Sequence, residues 1–184
     1  MKQISLIALL ISFTLYITAQ TSVPTASYLL DSAYKQAAKE HKNVFIIFHA
    51  GWCVWCRKMD SSMKDGICKK YFNDNYVTVH LTINESINKR YLENPGASEF
   101  NKKYNGDKAG LPFWLIMDKK RNLLGDALVR PEGTTLQTES PESIGCPASE
   151  KEVSAFIQLL KKSSRLKDME LEIIAERFRK NDMH

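Results

Sequence analysis

Cys53-Val54-Trp55-Cys56 places two thiols three residues apart. On an α-helix, positions i and i+3 are neighbours on one face, so two sulfurs at this spacing can reach each other. Three kinds of chemistry use such a pair: thiol–disulfide exchange, a structural disulfide, or one half of a zinc site. A four-sulfur zinc site calls for a second pair of matching spacing, and the remaining cysteines, Cys68 and Cys146, do not form one. A short disulfide at a helix start tends to be labile, which suits exchange better than structure. Exchange runs through a thiolate. If Cys53 opens a helix, backbone N–H groups without partners and the positive end of the helix dipole lie beside its sulfur and lower the thiol's pKa. Cys53 then attacks a disulfide, and Cys56, shielded one turn in, resolves the mixed disulfide without any cofactor.

The elements around the pair are readable from residue types. Asn43 to His49 is a continuous β-branched and aromatic run and predicts a central strand buried on both faces. Ala50-Gly51-Trp52 breaks that run, and Cys53 to Met63 reads as a helix that ends before Asp65-Gly66. The cysteines therefore sit where a strand hands over to a helix. Tyr28 to Lys42 predicts an amphipathic helix, Tyr76 to Ile83 a second strand, and Ser98 to Tyr104 a short helix. Leu111 to Met117 predicts a third strand and Leu123 to Val129 its hairpin partner, weakened by Gly125. Arg130 to Ser149 has no periodicity and predicts a long loop. Val153, Phe156, Ile157 and Leu160, then Leu171, Ile174, Ala175 and Phe178, mark two C-terminal helices. This order implies an α/β sandwich around a mixed sheet.

Composition narrows the function classes. With 43% hydrophobic and 26% charged residues the chain is of ordinary globular make-up, so disorder and coiled coil drop out. The formal charge of +5 is spread along the chain and gives nucleic-acid binding no support. At the N-terminus, Lys2 precedes an uncharged apolar run from Ile4 to Ile17 and then Thr18-Ala19-Gln20, the layout of a secretory signal peptide cleaved after Ala19. The run is short for a membrane anchor, which needs ~20 residues. The expected organisation is a signal peptide over 1–19 and a single domain over 20–184, soluble in the periplasm or secreted. In such oxidising surroundings a kept cysteine pair is structural or cycles with a dedicated partner.

Two stretches carry a family resemblance. Lys42 to Asp60, containing Trp52-Cys53-Val54-Trp55-Cys56, resembles the active-site strand, turn and helix of thioredoxin-like proteins, in particular an exported branch with tryptophan before the second cysteine. Gly110-Leu111-Pro112-Phe113-Trp114 followed by Asp118 resembles the family's cis-proline strand and hairpin. The resemblance covers about Tyr28 to Lys162, with 163–184 as a C-terminal helical extension. It implies a thioredoxin-like three-layer sandwich, a mixed central sheet flanked by helices with an extra C-terminal helix. It also implies a thiol:disulfide oxidoreductase acting on protein cysteines, with Cys53 attacking and Cys56 resolving. Trp52, Trp55, Leu111 and a cis Pro112 would line the substrate groove, and a separate redox partner would supply or take electrons.

Departures from the family pattern matter as well. Thioredoxin has a buried acid six residues before its first cysteine, where this chain has Ile47. His80, in the second strand, is a substitute proton acceptor or a histidine without a role. His49 with the thiols would suit a soft metal such as Cu(I). Val54-Trp55 matches neither the Gly-Pro of thioredoxin nor the Pro-His of strong disulfide oxidases, so the direction of exchange stays open. Cys68 and Cys146 form a disulfide, or are unreactive thiols, or Cys146 is a third redox thiol in a loop that emerges near Cys53. The alternative from a different class is a noncatalytic protein of this fold that holds client proteins or a metal ion.

Overall fold

The computed structural model describes residues 22–130, 134–136, 138, 140 and 142–182; the expected signal segment lies outside them. Helix α1, Ala26–Glu40, starts where the Thr25 hydroxyl accepts the Tyr28 N–H, and it buries Leu30, Ala33, Tyr34 and Ala37. Strand β1, Asn43–His49, is buried at five consecutive positions, as its uninterrupted apolar sequence demands. Then follow α2 (Val54–Lys64), α3 (Lys69–Asn75), β2 (Tyr76–Thr82), α4 (Ala97–Lys103), β3 (Phe113–Met117), β4 (Leu123–Asp126), α5 (Glu150–Ser163) and α6 (Asp168–Arg179). Short 3-10 turns span Ile87–Leu92 and Gly106–Lys108.

The sheet order is β2-β1-β3-β4, with β1 and β2 parallel and the other pairs antiparallel. Alternation along β1 splits the core in two. Phe45 on one face meets Phe72 of α3, Trp114 of β3 and Phe156 of α5, and Phe178 of α6 packs on Phe156. Phe48 on the other face meets Phe113 and Phe100 of α4, while the Tyr34 hydroxyl of α1 bonds Met117 Sδ at 2.7 Å. This is the three-layer mixed-sheet sandwich of the thioredoxin-like fold, with a helical pair at its C-terminal end. No helix among the described residues is long and apolar enough to cross a membrane.

Three details differ from the sequence reading. Helix α3 was not expected, because seven residues are too few to show a helical period. Strand β3 begins at Phe113 instead of Leu111, after the turn that carries Pro112. The hairpin partner stops at Asp126 instead of Val129, because the Asp126 carboxylate accepts the Leu128 N–H at 2.9 Å and draws the chain out of the ladder. Gly125, which weakened the strand on paper, is where α5 leans on the sheet: a Cβ there would lie 2.8 Å from Leu159 Cδ2.

Candidate active site

Cys53 is the N-cap of α2, and its Sγ accepts the Cys56 N–H at 3.0 Å. Cys53 and Cys56 are joined in a disulfide, their Cα atoms 5.3 Å apart. The pair thus lies at the strand-to-helix junction, where the end of a helix directs N–H groups and its positive dipole at the first sulfur. In this oxidised state Cys53 is 3% exposed and Cys56 6%. The expectation that only Cys56 is shielded does not hold for the disulfide form, because both cysteines are buried in a small cluster with Ala50 and Leu111. Around them the chain leaves apolar surface in solvent: Trp52, Val54 and Trp55 are 57%, 55% and 44% exposed.

The turn before the pair is held from a distance that sequence spacing does not reveal. The buried Glu85, just past β2, accepts the Gly51 N–H on Oε1. A side chain at 51 would crowd that carboxylate, its Cβ falling 2.9 Å from Oε1. Glu85 is itself fixed, its N–H donating to Glu93 Oε1 at 2.8 Å. The Trp52 indole N–H donates to Asn84 O at 2.8 Å, and Arg57 Nη1 donates to Gly51 O at 3.0 Å. Glu85 was absent from the sequence-derived site; a lone acid in a polar stretch carries no local signal.

The Leu111–Pro112 peptide bond is cis. Leu111 touches the cysteine pair on one side and on the other lines a groove of about 230 Å³ with Trp55, Ile144 and Cys146. Leu111 thus packs on the pair, Trp52 stands on the Asn84 side and Trp55 on the groove side. Part of the 130–149 loop does come to the active-site end, and it is pinned there. The Trp114 indole N–H donates to Gly145 O at 2.7 Å. Arg130 grips Asp126 with Nη1 and Nη2 at 2.6 and 2.8 Å and holds the carbonyls of Leu136 and Thr138.

Behind the helix, His80 Nε2 is 2.7 Å from Asp60 Oδ1, and Lys64 Nζ is 3.1 Å from Asp60 Oδ2. Burial raises the Asp60 pKa, but the bonds from His80 and Lys64 outweigh it and hold the carboxyl at about 2. His80 pairs with Ile47 across β1 and β2, opposite the position where thioredoxin has its acid. Asp60 lies four residues after Cys56 on α2. His49 is 3.2 Å from Thr82 Oγ1 and meets His80 edge to face; burial and the neighbouring His80 lower its pKa. Among the described residues no three His, Cys, Asp or Glu side chains converge as metal ligands.

Cys68 and Cys146 are free and buried, so they do not form the disulfide that was one of the expected alternatives. Burial pushes the Cys68 thiol up to about 11 and the Cys146 thiol up to about 12.

The sequence profile of the thioredoxin-like family matches residues 25–119, and the chain belongs to that family. Among curated proteins, protein disulfide-isomerase A5 of Bos taurus is 31% identical over 88 residues, 46% of this chain and 17% of that protein. The chain thus corresponds to a small part of that relative's length. Among solved structures, a disulphide isomerase from Xylella fastidiosa Temecula1 aligns with a TM-score of 0.44 at 20% identity, over 55% of this chain and 72% of the other. A DsbH oxidoreductase aligns at 0.41 and 19%, over 71% and 81%. A putative protein disulfide isomerase from Bacteroides thetaiotaomicron aligns at 0.40 and 19%, over 71% and 79%.

Proposed function

We propose that the protein is an exported thiol:disulfide oxidoreductase that exchanges disulfides with protein cysteines through Cys53 and Cys56. One observation carries this reading: the pair forms a disulfide at the N-terminus of α2, with Cys53 Sγ already accepting the Cys56 N–H. That donor and the helix dipole stabilise a thiolate on Cys53 once the bond is reduced. The Cys53 thiolate then attacks one sulfur of a client disulfide, forming a mixed disulfide and releasing the first client thiolate. The Cys56 thiolate attacks Cys53 Sγ, releasing the second client thiol and closing the Cys53–Cys56 bond. Two electrons pass from the pair to the client, and a separate dithiol partner restores the pair.

Trp52, Trp55, Leu111 and Pro112 form the surface that receives the client chain in this reading. Proton transfer from the resolving thiol runs through His80, oriented by the Asp60 carboxylate, in place of the acid that Ile47 replaces. Export rests on the 1–19 segment, with the remaining chain as one domain whose core is 28–162 and whose extension is 163–184.

Reduction of insulin disulfides by a dithiol donor tests the proposal. The native protein accelerates it, Cys53→Ser abolishes the acceleration, and Cys56→Ser accumulates mixed disulfides. Native protein and Cys53→Ser that are equally inactive, yet both bind insulin, would instead make this a holding protein.

A further inference from the structure

The groove beside the cysteine pair has two walls that come from distant parts of the chain. Trp55 on α2 forms one, and Ile144, Cys146 and Ala148 of the loop before α5 form the other. Neither wall is bonded directly to the other in the contacts just described. Both meet at one residue beyond α6.

Asn181 follows the last turn of α6 and is 6% exposed. Its backbone oxygen accepts from Lys58 Nζ at 3.1 Å, and that ammonium lies over the Trp55 ring, 4.4 Å from its centre. Its side-chain Oδ1 accepts from Ser62 Oγ of α2 at 3.1 Å and from Arg177 Nη1 at 3.4 Å. Its Nδ2 donates to Pro147 O at 3.1 Å and to Cys146 Sγ at 3.5 Å. One buried amide therefore ties the cysteine-bearing helix, the cation over Trp55 and the opposite wall together, with every polar atom of its side chain in use.

We propose that Asn181 is a positioning residue that sets the width of the Trp55–Cys146 groove and thereby selects clients with an apolar side chain beside the attacked cysteine. The inference rests on the exchange reading above. The groove's volume, about 230 Å³, is below the ~300 Å³ at which small-molecule sites begin, and it suits one side chain. Its floor and far wall, Leu111, Ile144, Cys146 and Ala148, are apolar, and the charged lining residue Glu152 has its Oε2 engaged by the Ala148 and Ser149 N–H groups. Leu111 also packs on Cys53 and Cys56, so a client chain with its cysteine at Cys53 lies across Leu111 and puts a neighbouring residue into the groove. Asn181 lies outside residues 25–119, so this selectivity belongs to the chain's own C-terminal part and not to the family's shared core.

The test uses the full chain, a dithiol donor and two disulfide-linked peptides, one with leucine and one with glycine next to the cysteine. The native protein should show a KM about tenfold lower for the leucine peptide, the discrimination expected of a small apolar pocket. Asn181→Ala should erase that difference by raising the KM for the leucine peptide alone, with kcat within about twofold for both. In the native protein Cys146 should resist iodoacetamide, and in Asn181→Ala it should become alkylated under native conditions. Ser62→Ala, which removes a single bond on the α2 side, should move both readouts in the same direction by less, and it serves if Asn181→Ala does not fold. Native exchange without leucine preference, or preference that survives both substitutions, overturns the inference and leaves the exchange reading intact. No exchange with either peptide overturns both.

Discussion

The four cysteines divide into two environments that share a residue type and little else. Cys53 and Cys56 stand at a helix start, ringed by exposed tryptophans and reached by backbone N–H groups. Cys68, the N-cap of α3, is enclosed in the core, and Cys146 sits in the groove wall against Asn181. Burial outweighs the nearby cations, and at Cys146 the Asn181 amide as well, and keeps the second two protonated up to about pH 11 and 12. Cys53 and Cys68 both cap a helix, so in the exchange reading it is a backbone N–H bonded to the sulfur, present at Cys53 and lacking at Cys68, and not a place at a helix start or proximity to the active-site end, that marks the exchanging thiol. Cys146 makes the contrast sharpest, since it lies in the same groove as Trp55.

Four changes break or sharpen this contrast. Cys53→Ser has the largest expected effect, since it leaves insulin reduction at the rate of the dithiol donor alone even though Cys68 and Cys146 remain. If either silent cysteine sustained turnover, the division would be wrong. Arg130→Ala comes next. It strands the Asp126 carboxylate, which is 1% exposed, and releases the segment ahead of the groove wall, for a loss of about 3–5 kcal/mol in urea unfolding. An unchanged midpoint would mean that the wall holding Cys146 stands without this anchor. His80→Gln retains a side chain that can bond Asp60 but cannot titrate. It should slow release of the mixed disulfide by about tenfold or more and flatten the pH dependence of that step, while capture by Cys53 stays intact. Equal slowing of capture and release would assign His80 to structure.

The smallest effect lies in alkaline stability. An ordinary thiol titrates near 9.0, whereas Cys68 and Cys146 are pushed up to about 11 and 12. As pH rises the unfolded chain loses these protons first. The buried thiols' contribution is therefore whole below about pH 9 and is lost as pH climbs toward 11 and 12. Cys68→Ala should cost about 1 kcal/mol at neutral pH and make the alkaline fall in melting temperature shallower. A fall of native steepness in that variant would remove Cys68 from the account.

What could be read in advance follows from how local each signal is. The NVFIIFH strand and the Cys-x-x-Cys spacing are contiguous and found where the residues placed them, and the cis Leu111–Pro112 bond is the one the family resemblance implied. Glu85 reaches Gly51 across 34 residues, and Asn181 reaches Lys58 and Ser62 across more than a hundred. Such contacts are made by the fold, after the sheet and α6 have docked, and nothing in the flanking residues announces them. The 130–149 loop shows the same limit from the other side: its residues have no period, yet Trp114 and Asn181 hold its described part through long-range bonds and Arg130 through local ones. His80 was singled out for its strand position, but its partner Asp60 is supplied by a different element.

The central claim concerns one sulfur, and time-resolved alkylation of the fully reduced protein, mapped by mass spectrometry across pH 5–9, addresses it directly. The account predicts a single fast site at Cys53 with an apparent pKa below that of an ordinary thiol, while Cys68 and Cys146 stay unlabelled until denaturant is added. Labelling of Cys53 no faster than that of Cys146 would contradict it.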